Sequence, residues 1–121
     1  MHNTRVKYIA WLLLFSPIWA LGDRAVTFKR AGNQVHMVLD RQFGVQKDSK
    51  HLLIVKSADS GKTLKELRNF SGITAQKDNK YFSELSPFTI PQSGKLRLEG
   101  KIFYCHFEQK YCSVQRINED L

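Results

Sequence analysis

The chain has few of the residues that usually declare a chemistry. It holds two cysteines and four histidines in 121 residues, too few for a four-cysteine zinc site. Six residues separate Cys105 from Cys112, with no pair of histidines at metal-ligand spacing to accompany them. His36, His51 and His106 complete the only metal combination worth weighing, and no metal is expected from it. Acidic residues number 11 against 19 basic ones, and they are scattered with no base spaced to pair with them. There is no Gly-x-Ser-x-Gly, so no hydrolytic centre is read. Gly61-Lys62-Thr63 resembles the end of a phosphate loop, but Lys56 stands where the first glycine belongs. No cofactor is expected. Low-complexity tracts, internal repeats and dividing linkers are also absent.

What the sequence does have begins at its N-terminus. Arg5 and Lys7 precede the apolar stretch Tyr8–Ala20, and no acid occurs before Asp23. Small residues at Ala20 and Gly22, or at Ala20 after Ile18-Trp19, suit a signal peptidase. The apolar run is shorter than the ~20 residues that span a bilayer, and Pro17 breaks its end. Residues 1–22 therefore read as a secretory signal, not a stable membrane anchor. Residues 23–121 read as one small exported domain, periplasmic or secreted. Loss of Arg5 and Lys7 leaves 17 basic against 11 acidic side chains, a net charge of +6. These cations are spread from Arg24 to Arg116 and never cluster, which describes a solvated positive surface and no specific nucleic-acid site.

The domain reads as all-β. Ala25–Arg30 alternates, Ala31-Gly32-Asn33 signals a turn, and Gln34–Asp40 alternates again with Val35, Met37 and Leu39 on one face. Phe43–Val45 and the polar Gln46–Lys50 read as a loop. His51–Lys56 is a short apolar run suited to a strand buried on both faces. Lys62–Phe70 is either a short helix or a bulged strand, ended by Ser71-Gly72. Tyr81–Leu85 leads to Ser86–Pro91, where two prolines exclude a central strand. Short strands with turn signals every 8–12 residues point to a sandwich or barrel.

The last segment reads as a long hairpin. With Glu108-Gln109 as the turn, Phe107 faces Lys110, His106 faces Tyr111 and Cys105 faces Cys112, at the separation of opposed strand residues. Such a pair is either a local staple or a redox couple. Regular pairing puts Leu96, Leu98, Ile102, Tyr104 and His106 on one face. A bulge at Gly100 would instead align Leu96 and Leu98 with Phe103, Cys105 and Phe107, and this second arrangement is the expected one.

Gly94-Lys-Leu-Arg-Leu-Glu-Gly-Lys-Ile-Phe-Tyr-Cys-His-Phe-Glu-Gln-Lys-Tyr-Cys112 resembles the terminal hairpin of immunoglobulin-like periplasmic thiol–disulfide domains of DsbD type. It is also similar to the small β-domain that ends some NHL-repeat and thioredoxin-like proteins. The resemblance covers residues 94–117. It implies an immunoglobulin-like β-sandwich in which Cys105 and Cys112, on adjacent strands, exchange electrons with a thioredoxin-fold partner. The pattern departs in its six-residue gap, and in Ser113-Val-Gln where an aromatic-Pro-Pro commonly follows. Phe70 and Tyr81-Phe82 are the candidates for the family's aromatic cap.

An attacking thiol needs a cation, a helix N-terminus or a metal beside it. His106, adjacent in a strand, points to the opposite face from Cys105, leaving Lys110, Lys101 and His36 as candidates. A staple needs none of these. The expected role is thus a non-catalytic exported module that binds an envelope or secreted protein, its disulfide structural. The alternative is thiol–disulfide exchange with Cys105 and Cys112 as the catalytic pair.

Overall fold

Ten strands form among residues 24–91 and 94–121, the residues described by the computed structural model, and none of them enters a helix. The signal-peptide reading of residues 1–22 and the domain start at Asp23 lie outside these residues. β1 (Val26–Ala31) and β2 (Gln34–Leu39) make the first hairpin, closed across the two-residue turn Gly32–Asn33. Val26 and Phe28 face inward from β1, and Val35 and Met37 from β2, as their alternation requires. β8 (Phe88–Thr89) adds to β2 and completes a three-stranded sheet in the order β1-β2-β8. Its flanking prolines are tolerated because it is short and at the edge.

The second sheet has seven strands. Its path runs β5 (Thr63–Leu67), β4 (Leu52–Ser57), β9 (Leu96–His106), β3 (Phe43–Gln46), β7 (Tyr81–Leu85), β6 (Gly72–Thr74), with β10 (Cys112–Asp120) also paired to β9. β9 organises this sheet. Along one side it pairs with β10 from Arg97↔Asp120 to Cys105↔Cys112. Along the other it takes two partners in series, β4 opposite residues 96–101 and β3 opposite residues 104–106. Leu53, Val55, Leu98, Ile102, Tyr104 and Val45 from this sheet meet Val26, Phe28, Val35, Met37 and Phe88 from the other in one apolar cluster. Burial of these side chains, at roughly 1.5–3 kcal/mol each, holds the two sheets together.

Four readings of the sequence change or are settled. Phe43–Gln46 is a strand, not a loop, because β7 and β9 supply its partners from distant sequence. Gly72, read with Ser71 as a stop, instead opens the strand Gly72–Thr74, paired to β7. Lys62–Phe70 resolves in favour of a strand over residues 63–67, with an irregularity in its pairing at Val55/Lys56.

The fourth is Gly100. The register passes through it without a break on both sides, Leu53↔Gly100 and Ile117↔Gly100, so no bulge forms and the two faces do not swap. Leu96, Leu98, Ile102 and Tyr104 face the core together, and Cys105 shares the other face with Phe103 and Phe107. Glycine stands here because of close approach: a Cβ would lie 1.9 Å from the Leu52 carbonyl oxygen, and φ is +151°. The notch admits the β4 backbone.

Candidate functional site

The candidate site lies at the hairpin end of the second sheet. The Cys105–Cys112 disulfide is formed there, with Cα atoms 3.9 Å apart in directly opposed positions. The hairpin closes as His106 N–H donates to the Tyr111 carbonyl (2.7 Å) and Lys110 N–H to the His106 carbonyl (2.9 Å). Its loop is therefore the four residues 107–110, with Lys110 at φ 54°, wider than a two-residue Glu108-Gln109 turn. Phe107 does not face Lys110. Its N–H donates to the Gln42 carbonyl (3.0 Å) on the β3 side, and its ring meets Tyr81 edge-on at 5.9 Å. The register at the cysteines is the same in either case.

The two sulfurs differ. Cys105 is 4% exposed and lies outside the main apolar cluster, whereas Cys112 is exposed. Both line a concavity of about 420 Å³ with Lys77, Asp78, Tyr81, His106, Phe107 and Lys110. Lys77 Nζ stands 5.6 Å from the centre of the Phe107 ring. Gly44, opposite Cys105 on β3, lies against Phe107 and Tyr81. A Cβ on it would come within 2.6 Å of the Phe107 ring and 2.8 Å of the Tyr81 Cβ, so only glycine lets β3 pass beneath both aromatics. A second concavity of about 420 Å³ adjoins the first through Lys77 and Phe107 and reaches Phe43, Arg41 and Ile73. Ile73 lies on β6 at the end of the sheet and is 58% exposed.

Gln46, at the end of β3, reaches the disulfide from below. Its Nε2 donates to Cys105 Sγ at 2.9 Å, and its Oε1 accepts from the Ser49 hydroxyl. The disulfide sulfur carries no hydrogen, so the end of the amide that faces it is the donor. His51 donates from Nε2 to the Gln46 carbonyl, and its Nδ1 accepts from Phe103 N–H at 3.1 Å. The imidazole thus fills the gap along β9 where β3 ends and β4 begins. This pattern requires the neutral ring protonated on Nε2. Burial, partly offset by the bond to Gln46, lowers the His51 pKa below its ordinary 6.5 and favours that form.

Of the residues picked out beforehand, Cys105, Cys112, Lys110 and Tyr81 converge. Lys101 lies over the Phe103 ring at 5.6 Å and lines a different hollow beside His51. His36 is on β2, in the other sheet. Phe70 packs on His51 at 5.0 Å, and Phe82 lies beneath Lys47. Neither Phe70 nor Phe82 lines the disulfide concavity. His106 is held by Gln42 Oε1 at Nε2 (3.2 Å) and by Gln109 N–H at Nδ1 (3.0 Å). Among the described residues, no three His, Cys, Asp or Glu side chains converge as a metal site would need, and no helix is long and apolar enough to cross a membrane. Gln46 and Lys77 had no signal in the sequence: one enters from 59 residues before Cys105, the other from a turn.

No protein-family model, no curated protein and no solved structure matches this chain.

Proposed function

We propose that this is an exported, non-catalytic binding domain whose contact surface is the pair of concavities around the C-terminal hairpin. The observation that carries the reading is their continuity. Phe107 and Lys77 belong to both, and the surface runs from the disulfide to the exposed Ile73 on an edge strand. Exposed apolar side chains beside an open sheet edge suit an extended segment of a protein partner, which can add main-chain bonds to side-chain contacts. Arg41, Lys77 and Lys110 outnumber Asp78 and Glu84 around it, a balance that favours an acidic segment. Export accords with the disulfide, since such bonds persist in oxidising compartments. The test is site-specific photo-crosslinking in the native host. A probe at Ile73 should capture a defined partner, and a probe at Val38, exposed on the other sheet, should not. Equal capture at both positions would reject this surface.

A second reading, thiol–disulfide exchange of DsbD type with a thioredoxin-fold partner, is favoured by the exposure of Cys112 within the concavity. The reduction potential separates the two. A structural bond lies below about −300 mV, whereas an exchanging pair lies in the range of about −270 to −120 mV found for oxidoreductases.

A further inference from the structure

We propose that the disulfide opens with one fixed polarity, in which an incoming thiolate takes the Cys112 sulfur and Cys105 departs as a thiolate stabilised by Gln46. The proposal goes beyond both functional readings, because it concerns the bond itself and applies to any thiol reductant.

Access supplies the first half of the argument. Displacement at sulfur needs an open approach to the sulfur attacked. Cys112 is exposed at the concavity, and Cys105 is 4% exposed beneath it. Lys77 and Lys110 outnumber Asp78 in the same space and favour the approach of an anionic sulfur.

The leaving group supplies the second half. Negative charge developing on a buried sulfur is costly without a donor, and Gln46 Nε2 is placed 2.9 Å from Cys105 Sγ. The disulfide sulfur has no hydrogen to give, so turning the amide would set its oxygen against the sulfur lone pairs and lose the bond. Its backbone is fixed as well, by the His51 bond to the Gln46 carbonyl and by pairing with Tyr81. The donor therefore needs no rearrangement when charge appears. A bond to an ionised acceptor is roughly twice as strong as one to a neutral acceptor, so Gln46 favours the departing thiolate over the intact disulfide.

The atoms balance as follows. A thiolate RS⁻ bonds to Cys112 Sγ, the Sγ–Sγ bond breaks, and its electron pair stays on Cys105. A second thiolate then attacks the R sulfur of the mixed disulfide and releases Cys112 as a thiolate together with RSSR. Two thiols are oxidised, the protein disulfide is reduced, and the protein thiolates take their protons from water.

The experiment treats the oxidised protein briefly with glutathione, quenches with acid, blocks free thiols with a maleimide and maps the peptides. Glutathione on Cys112 with maleimide on Cys105 is the expected product. Glutathione on Cys105, or equally on both, overturns the polarity. Gln46→Leu should slow reduction by glutathione about tenfold, the worth of one charge-assisted bond. A merely structural role predicts the opposite sign, since a loosened hairpin exposes the bond and reacts faster. An unchanged or faster rate therefore overturns the role of Gln46. As a separate readout, the Cys105 thiol of a Cys112→Ser variant should titrate at higher pH when Gln46→Leu is added. An unmoved titration also counts against Gln46, and the wild-type peptide map stands even if the variants fail to fold.

Discussion

Gln115 grips the backbone of Val26 with both ends of its side-chain amide. Val26 N–H donates to Gln115 Oε1 at 2.9 Å, and Gln115 Nε2 donates to the Val26 carbonyl at 2.9 Å. Gln115 is 7% exposed and Val26 is fully buried. The side chain acts as a short substitute strand, satisfying the first residue of β1 from β10 in the other sheet. Arg24 and Glu119 pair beside it, so the opening of β1 is tied to the C-terminal strand twice.

Gln115→Leu keeps the volume and removes both bonds, leaving a buried N–H and a buried C=O unpaired. At about 1–3 kcal/mol for each of the two orphaned groups, the expected loss of stability is about 2–6 kcal/mol. Denaturant unfolding measures it. Arg24→Ala, which breaks only an exposed ion pair, should cost under about 1 kcal/mol.

His51 gives stability a pH dependence of known sign. Its folded pKa lies below the ordinary 6.5, so as pH falls below about 6.5 the unfolded chain takes up a proton that the native ring refuses. The contribution is fully present above that value and is lost as pH falls toward the folded pKa. Unfolding midpoints measured from pH 7.5 down to 5 should decline for the wild type. His51→Gln should reduce the decline, and an identical acid slope in that variant would remove His51 as its source.

Gly100→Ala should cost several times more than Gly32→Ala. At Gly32 a Cβ meets nothing within 4 Å, so the cost is conformational, about 1–2 kcal/mol for φ +62°. At Gly100 the same methyl strikes the Leu52 carbonyl at 1.9 Å and must push β4 off β9. Paired unfolding curves decide it, and equal losses would mean that β4 yields easily.

Replacing both cysteines with Ser should lower stability by ~2–3 kcal/mol, the entropy of closing so short a loop in the chain-constraint picture. Intact mass before and after alkylation should first show no free thiol in the native protein. A double variant that unfolds outright would assign the bond a larger structural part than its span of seven residues supports.

The elements legible in the sequence are those whose cause is local. The β1–β2 hairpin announces itself by alternation around Gly32-Asn33, and the prolines around Phe88 mark an edge. The opposition of Cys105 to Cys112 follows from hairpin pairing even though the loop proved wider. Phe43–Gln46 and Gly72–Thr74 are short and contain glycine, and they become strands only because β7 and β9 arrive beside them. A mid-strand glycine signals either a bulge or a close approach, and Gly100 serves the second because Leu52, half a chain away, passes over it. The same limit hides the site. Cys105 and Cys112 could be named, but Gln46, Gly44 and Lys77 acquire their places beside the disulfide from the fold alone.

The two-partner arrangement of β9 sets a timetable for synthesis. β3 and β4 emerge from a ribosome first, yet the strand that joins them ends at His106, 49 residues after the end of β4 at Ser57. At about 5–20 residues per second, Val45, Leu53 and Val55 spend several seconds outside with no β9 to cover them. The second sheet cannot close until β9 has been made, so these apolar strands wait through that interval with their central partner missing.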